Sequence, residues 1–147
     1  MEQEQVLAPP APTKKIYMPW MIYVATFIGG PLVTGYMTWR NFRVFGDNRK
    51  ATISLVTGIV ATIGIISLNM LVPDYTASLY RMIPIGYTFV AYALIRHHQL
   101  PYIESHRYEG GPIFGWGRSI VLGLASLAIL FITAFWIALF TELSHNA

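Results

Sequence analysis

The chain has 147 residues, of which 54% are hydrophobic and only 12% charged, with no cysteine and a formal net charge of +3. Soluble domains carry about 25% charged residues, so this composition points to the membrane. The lack of cysteine excludes disulfides, zinc–thiolate sites and a thiol nucleophile. The basic residues flank apolar runs, which is the pattern of membrane topology and argues against nucleic-acid binding.

Residues 1–15 are polar and rich in proline (Pro9, Pro10, Pro12) and read as a disordered tail. They are not a secretory signal, because the apolar run after Lys14 and Lys15 is too long for one. Residues 16–147 read as a single all-α membrane domain. The expectation is a bundle of four transmembrane helices, with spans at about 16–40, 51–72, 77–97 and 119–141.

The first run, 16–39, is uncharged and carries aromatic residues at both ends, as interfacial belts do. It holds Gly29, Gly30, Pro31 and Gly35, and ends at the polar edge Trp39, Arg40, Asn41 and Arg43. Pro31 removes one backbone donor and crowds the carbonyl of Phe27, so a bend is expected there. Gly46-Asp47-Asn48 is a turn signal within a basic loop. The second run, 51–72, is rich in Ile, Val and Thr, and in lipid such a segment still has only the helix open to it. The third is the weakest, because full length brings in Arg81, which must snorkel or find a partner such as Glu142, Asp74 or Asn69. Residues 99–118 read as an aromatic, glycine-rich loop in the headgroup region that includes His106, Gly111 and Trp116. The last run, 119–141, is uncharged and strongly apolar, and a short polar tail follows.

Four spans put both termini on one side. The positive-inside rule then places loops 40–50 and 96–118 in the cytoplasm and the termini outside, with Lys14 and Lys15 counting against it. Each span carries a stripe of small or weakly polar residues: Thr26, Gly30, Thr34 and Thr38; Ser54, Gly58, Thr62 and Asn69; Arg81, Thr88 and Tyr92; Ser119, Gly123, Ser126 and Thr133. Such stripes let helices pack closely where hydrophobicity cannot drive association.

The run from Phe27 to Gly46, FIGGPLVTGYMTWRNFRVFG, resembles the opening of small multi-pass bacterial inner-membrane proteins of unknown function. Those have a GGPL-type first helix followed by an Asn-Phe-basic edge. The matching residues are Gly29, Gly30, Pro31, Leu32, Gly35, Asn41, Phe42 and Gly46, and more loosely His106, Gly111, Trp116 and Ser119. The resemblance implies a bacterial inner membrane and no transferable activity.

No catalytic constellation emerges. The spans contain no Asp or Glu, and no serine sits in a nucleophile motif. His97 and His98 sit at the inner end of the third span, His106 in the loop and His145 in the tail, so none lies within a span facing another helix; a bis-histidine haem is not expected, and interfacial, solvated histidines are. No cofactor and no metal is expected. The candidates for structure and interaction are Gly29, Gly30, Pro31, Gly35, Asn41, Arg43, Gly58, Arg81, His106, Trp116 and Glu142. The partners expected are the lipid bilayer and other membrane subunits. The function reads as an accessory or scaffolding subunit of a larger bacterial membrane complex rather than an enzyme. The alternatives are a small oligomeric channel or transporter and, more weakly, a haem or quinone redox subunit.

Overall fold

The structure, a computed structural model, describes residues 12–71 and 77–145, without the side chains of 69–71, 77–81 and 145. The tail 1–11, Asp74 and the side chains of Arg81 and Asn69 lie outside the described residues, so the pairing expected of Arg81 does too. Within them the chain is all-helical, with four helices: α1 (Pro19–Val44), α2 (Asn48–Leu71), α3 (Ala77–Tyr108) and α4 (Trp116–His145). Three segments are long and apolar enough to cross a membrane: Pro19–Val44, Asn48–Leu68 and Trp116–Ser144. The first of these does not run straight.

The backbone of α1 leaves the helical region at Gly30, with φ 74° and ψ −166°. That combination is open essentially to glycine alone. It divides α1 into residues 19–29 (α1a) and 31–44 (α1b), and the two halves fold back on each other. The Thr26 and Thr34 hydroxyls lie 2.6 Å apart, where a continuous helix would hold residues eight apart at about 12 Å. Asn41 bonds the backbone of Tyr17 at 2.8 Å, where a continuous helix would separate them by about 36 Å. The bend expected at Pro31 is therefore a reversal. Pro31 does not distort a running helix; it opens a new one, at the first position, where its missing N–H costs nothing.

This hairpin is the hub of the molecule. α1b runs back along the first half of α2, with Gly35 against Gly58. A Cβ on Gly35 would stand 2.9 Å from the Gly58 Cα, and one on Gly58 would stand 2.9 Å from the Pro31 carbonyl oxygen. α1a runs beside the first half of α4, where a Cβ on Gly29 would stand 2.5 Å from the Gly123 carbonyl oxygen. α3 closes the third side, with Tyr23 against Tyr92. The substantial helix–helix packing is α1 with each of α2, α3 and α4. The outer helices pack on the hairpin rather than on one another, so the arrangement is not a conventional four-helix bundle.

Two turns fix the ends. α1b closes on Gly46 (φ 81°), with the Asp47 N–H bonded to the Phe42 carbonyl at 3.0 Å. Asp47 then caps α2 by accepting from the Lys50 N–H at 2.9 Å. The loop expected from 99 to 118 is mostly helix: α3 runs on through Pro101 to Tyr108. It continues because 102–108 has something to pack on: Ile103 is fully buried, and Tyr102 stacks on Phe45 at 5.4 Å. A Schellman motif ends it, with Gly110 at φ 76° and the Gly111 N–H on the His106 carbonyl at 2.8 Å.

Candidate functional site

The hairpin brings residues 16–17, the end of α1b, the end of α3 and the start of α4 together at one end of the molecule. Asn41, fully buried, is the centre of this junction. Its Oδ1 accepts from the Tyr17 N–H, and its Nδ2 donates to the Tyr17 carbonyl at 2.8 Å and to Gln99 Oε1 at 3.1 Å. Gln99, also fully buried, donates from Nε2 to the Thr38 carbonyl at 3.0 Å. Two carboxamides thus join three separated segments with nearly all their polar atoms used. Ile16 adds a single parallel bridge to Ile113, with the Phe114 N–H on the Ile16 carbonyl at 3.0 Å. The Tyr17 ring stacks on Phe114 at 4.4 Å, and its hydroxyl accepts from Arg118 Nε at 3.0 Å. Burial raises the Tyr17 hydroxyl pKa above its usual value, and the Arg118 hydrogen bond opposes that.

These contacts overturn two expectations. Residues 12–17 lie at the same end as loops 40–50 and 109–115, not opposite them. His106 is not solvated: it is 5% exposed, it packs edge-on to Phe45, and its Nε2 lies 3.3 Å from the Pro112 carbonyl oxygen. A Cβ on Gly111 would collide with the His106 ring. His97 and His98 are exposed neighbours, and no group of three or more His, Asp or Glu that could hold a metal exists among the described residues.

The hairpin tip is equally well supplied. The Gly29 carbonyl accepts from Ser126 at 2.6 Å, and the Gly30 carbonyl accepts from Thr34 at 3.2 Å. Thr26 donates to the Ile22 carbonyl at 2.6 Å. Beside α1b an apolar groove of about 550 Å3 opens between α2 and α3. Pro31, Thr34, Gly35 and Thr38 form its floor, and Lys50, His98 and Gln99 stand at one end. Its size suits a small ligand or an inserted side chain. Its floor is chemically quiet, because Thr38 already donates to the Thr34 carbonyl at 2.6 Å.

Of the residues singled out from sequence, Gly29, Gly30, Pro31, Gly35 and Gly58 meet along the hairpin, Asn41 centres the junction, and His106 latches the last loop. Arg43 lies over Trp39 at 5.9 Å, Trp116 is 64% exposed, and Glu142 is exposed. Of the stripe residues, Thr133 is exposed and takes no part in the packing. Sequence reasoning missed Gln99, Tyr17 and Tyr102. An amide next to two histidines reads as a surface residue, and only the extension of α3 past it shows otherwise.

The hydrogen bonds of the junction hold its separated segments together. Comparison with protein-family models, with curated proteins and with solved structures finds no match to any of them.

Proposed function

We propose that this chain is an accessory or scaffolding subunit of a larger bacterial membrane assembly, with its hairpin as an inner hub and its outer helices turned to lipid and to partner subunits. The observation that carries this reading is the use of the apolar surface. α1 takes up the internal packing, while the far half of α4 exposes Phe131, Phe135, Trp136 and Phe140 at 62–75%. In water such a surface marks an interaction site, and in a bilayer it faces lipid or another subunit. The test is affinity purification from native membranes in mild detergent, followed by mass spectrometry. A partner recovered in fixed stoichiometry is the expected result, and a monomer purified alone with full stability overturns the proposal.

The bacterial inner membrane is proposed on the resemblance of the GGPL segment. Sidedness is proposed on charge: every Lys and Arg but Arg81 belongs to segments that meet at the Asn41 end or lie within about a turn of it. That end is read as cytoplasmic, and Lys14 and Lys15 now count for this assignment rather than against it. α2, α3 and α4 then cross, while the hairpin enters and leaves from the cytoplasmic side.

The second reading, a small oligomeric channel or transporter, is favoured by one feature, the helix break inside the apolar layer. Solute flux into liposomes holding the purified protein supports it, and their tightness removes it. The occupied carbonyls at Gly29 and Gly30 argue for the first reading.

A further inference from the structure

Two arginines from different helices converge on one aromatic ring at the basic end. The guanidinium carbons of Arg40, on α1b, and Arg118, on α4, lie 6.0 and 4.5 Å from the centroid of Phe114. Both side chains are exposed. Among the described residues neither has a carboxylate within ion-pairing distance, and the ion pair there is Lys50 with Asp47, at 3.0 Å. Two like charges drawn to one ring repel each other, and the fold needs only Arg118, which holds the Tyr17 hydroxyl. Arg43, by contrast, reaches only Trp39.

We propose that Arg40 and Arg118 form an anion site that takes a phosphate group, either in the headgroup of an anionic lipid or as free phosphate. A guanidinium presents a planar fork of donors that matches phosphate oxygens, and two forks neutralise a charge that one would share. Phe114, stacked against the Tyr17 ring and buried, is a rigid platform that limits the ordering cost of the two long side chains. α4 begins at Trp116, so the positive end of its backbone dipole lies beside Arg118 and favours the same charge. The lipid source rests on the membrane reading of the proposed function; the phosphate source does not.

The test uses the full chain purified in mild detergent, with binding read by native mass spectrometry and by titration. Phosphatidylglycerol is expected to bind at least tenfold more tightly than phosphatidylcholine. Arg40→Gln, at an exposed position without a side-chain hydrogen bond among the described residues, should cut that preference at least fivefold with an unchanged lipid-free melting temperature. Arg118→Lys, which keeps the charge and loses the fork, should cut it as well. Arg107→Gln, another exposed arginine on the same end, should leave it intact. Displacement of the lipid by millimolar inorganic phosphate identifies a site for phosphate itself, and retention identifies the lipid as occupant. Equal binding of the two lipids with no binding of inorganic phosphate overturns the proposal, and so does an equal loss in Arg107→Gln.

Discussion

At the scale of single residues, the buried carboxamides are where the molecule is most exposed to loss. Asn41→Ala removes three hydrogen bonds at once and strands the Tyr17 backbone and the Gln99 side chain. Each buried group left unpaired costs about 1–3 kcal/mol, so the variant should melt far below the wild type in detergent, with residues 12–17 becoming open to protease. Two serines on α4 make a sharper comparison. Ser126 is 5% exposed and donates to the Gly29 carbonyl at 2.6 Å, whereas Ser119, 1% exposed, has no partner for its hydroxyl among the described residues. Ser126→Ala should cost about 1–3 kcal/mol by leaving a carbonyl unsatisfied. Ser119→Ala should be neutral or stabilising, because it removes a buried hydroxyl that nothing pairs. Thermal melts of the two variants side by side check this, and equal losses would contradict it.

At the scale of elements, α1 depends on one backbone conformation. Gly30→Ala has space, since its Cβ would stand 3.5 Å from Leu130, but not a permitted φ. The strain is about 1–3 kcal/mol, and a lowered melting temperature is the readout. The α1b–α2 contact predicts that Gly58→Leu disrupts the fold while Val60→Leu, at a position 62% exposed, does not. Overpacking of this kind costs about 1–3 kcal/mol or more where backbone meets backbone. Much of this contact was legible in the sequence, because the small-residue spacing of Gly58, Thr62, Gly123 and Ser126 states which face packs. The reversal was not. Gly-Gly-Pro inside an apolar run of spanning length reads as a bend, and only the meeting of Thr26 with Thr34 and of Tyr17 with Asn41 distinguishes a hairpin from a kink. The extension of α3 was hidden for a similar reason: Pro101 and a fall in hydropathy look like a helix end when the surface that receives Ile103 and His106 lies far away in sequence.

At the scale of the whole molecule, folding α1 back changes which segments share an end, and the charge distribution becomes consistent. Reporters fused after residues 15, 48 and 110 should all report the cytoplasm, and one after residue 144 the other side. An external signal from the first reporter would mean that residues 19–44 cross the bilayer after all. The hairpin has a further consequence, which concerns the order of synthesis. Its halves reach only about 16 and 21 Å, short of the roughly 30 Å hydrocarbon layer, so neither can settle there as an independent span. At the tip, the Gly29 carbonyl finds its donor on Ser126, in α4, which leaves the ribosome well after α1. A bare carbonyl is expensive in hydrocarbon. On the membrane reading of the proposed function, α1 is therefore completed only by a helix made well after it: it has to wait at the membrane surface, or in the care of the insertion machinery, until α4 arrives to receive it.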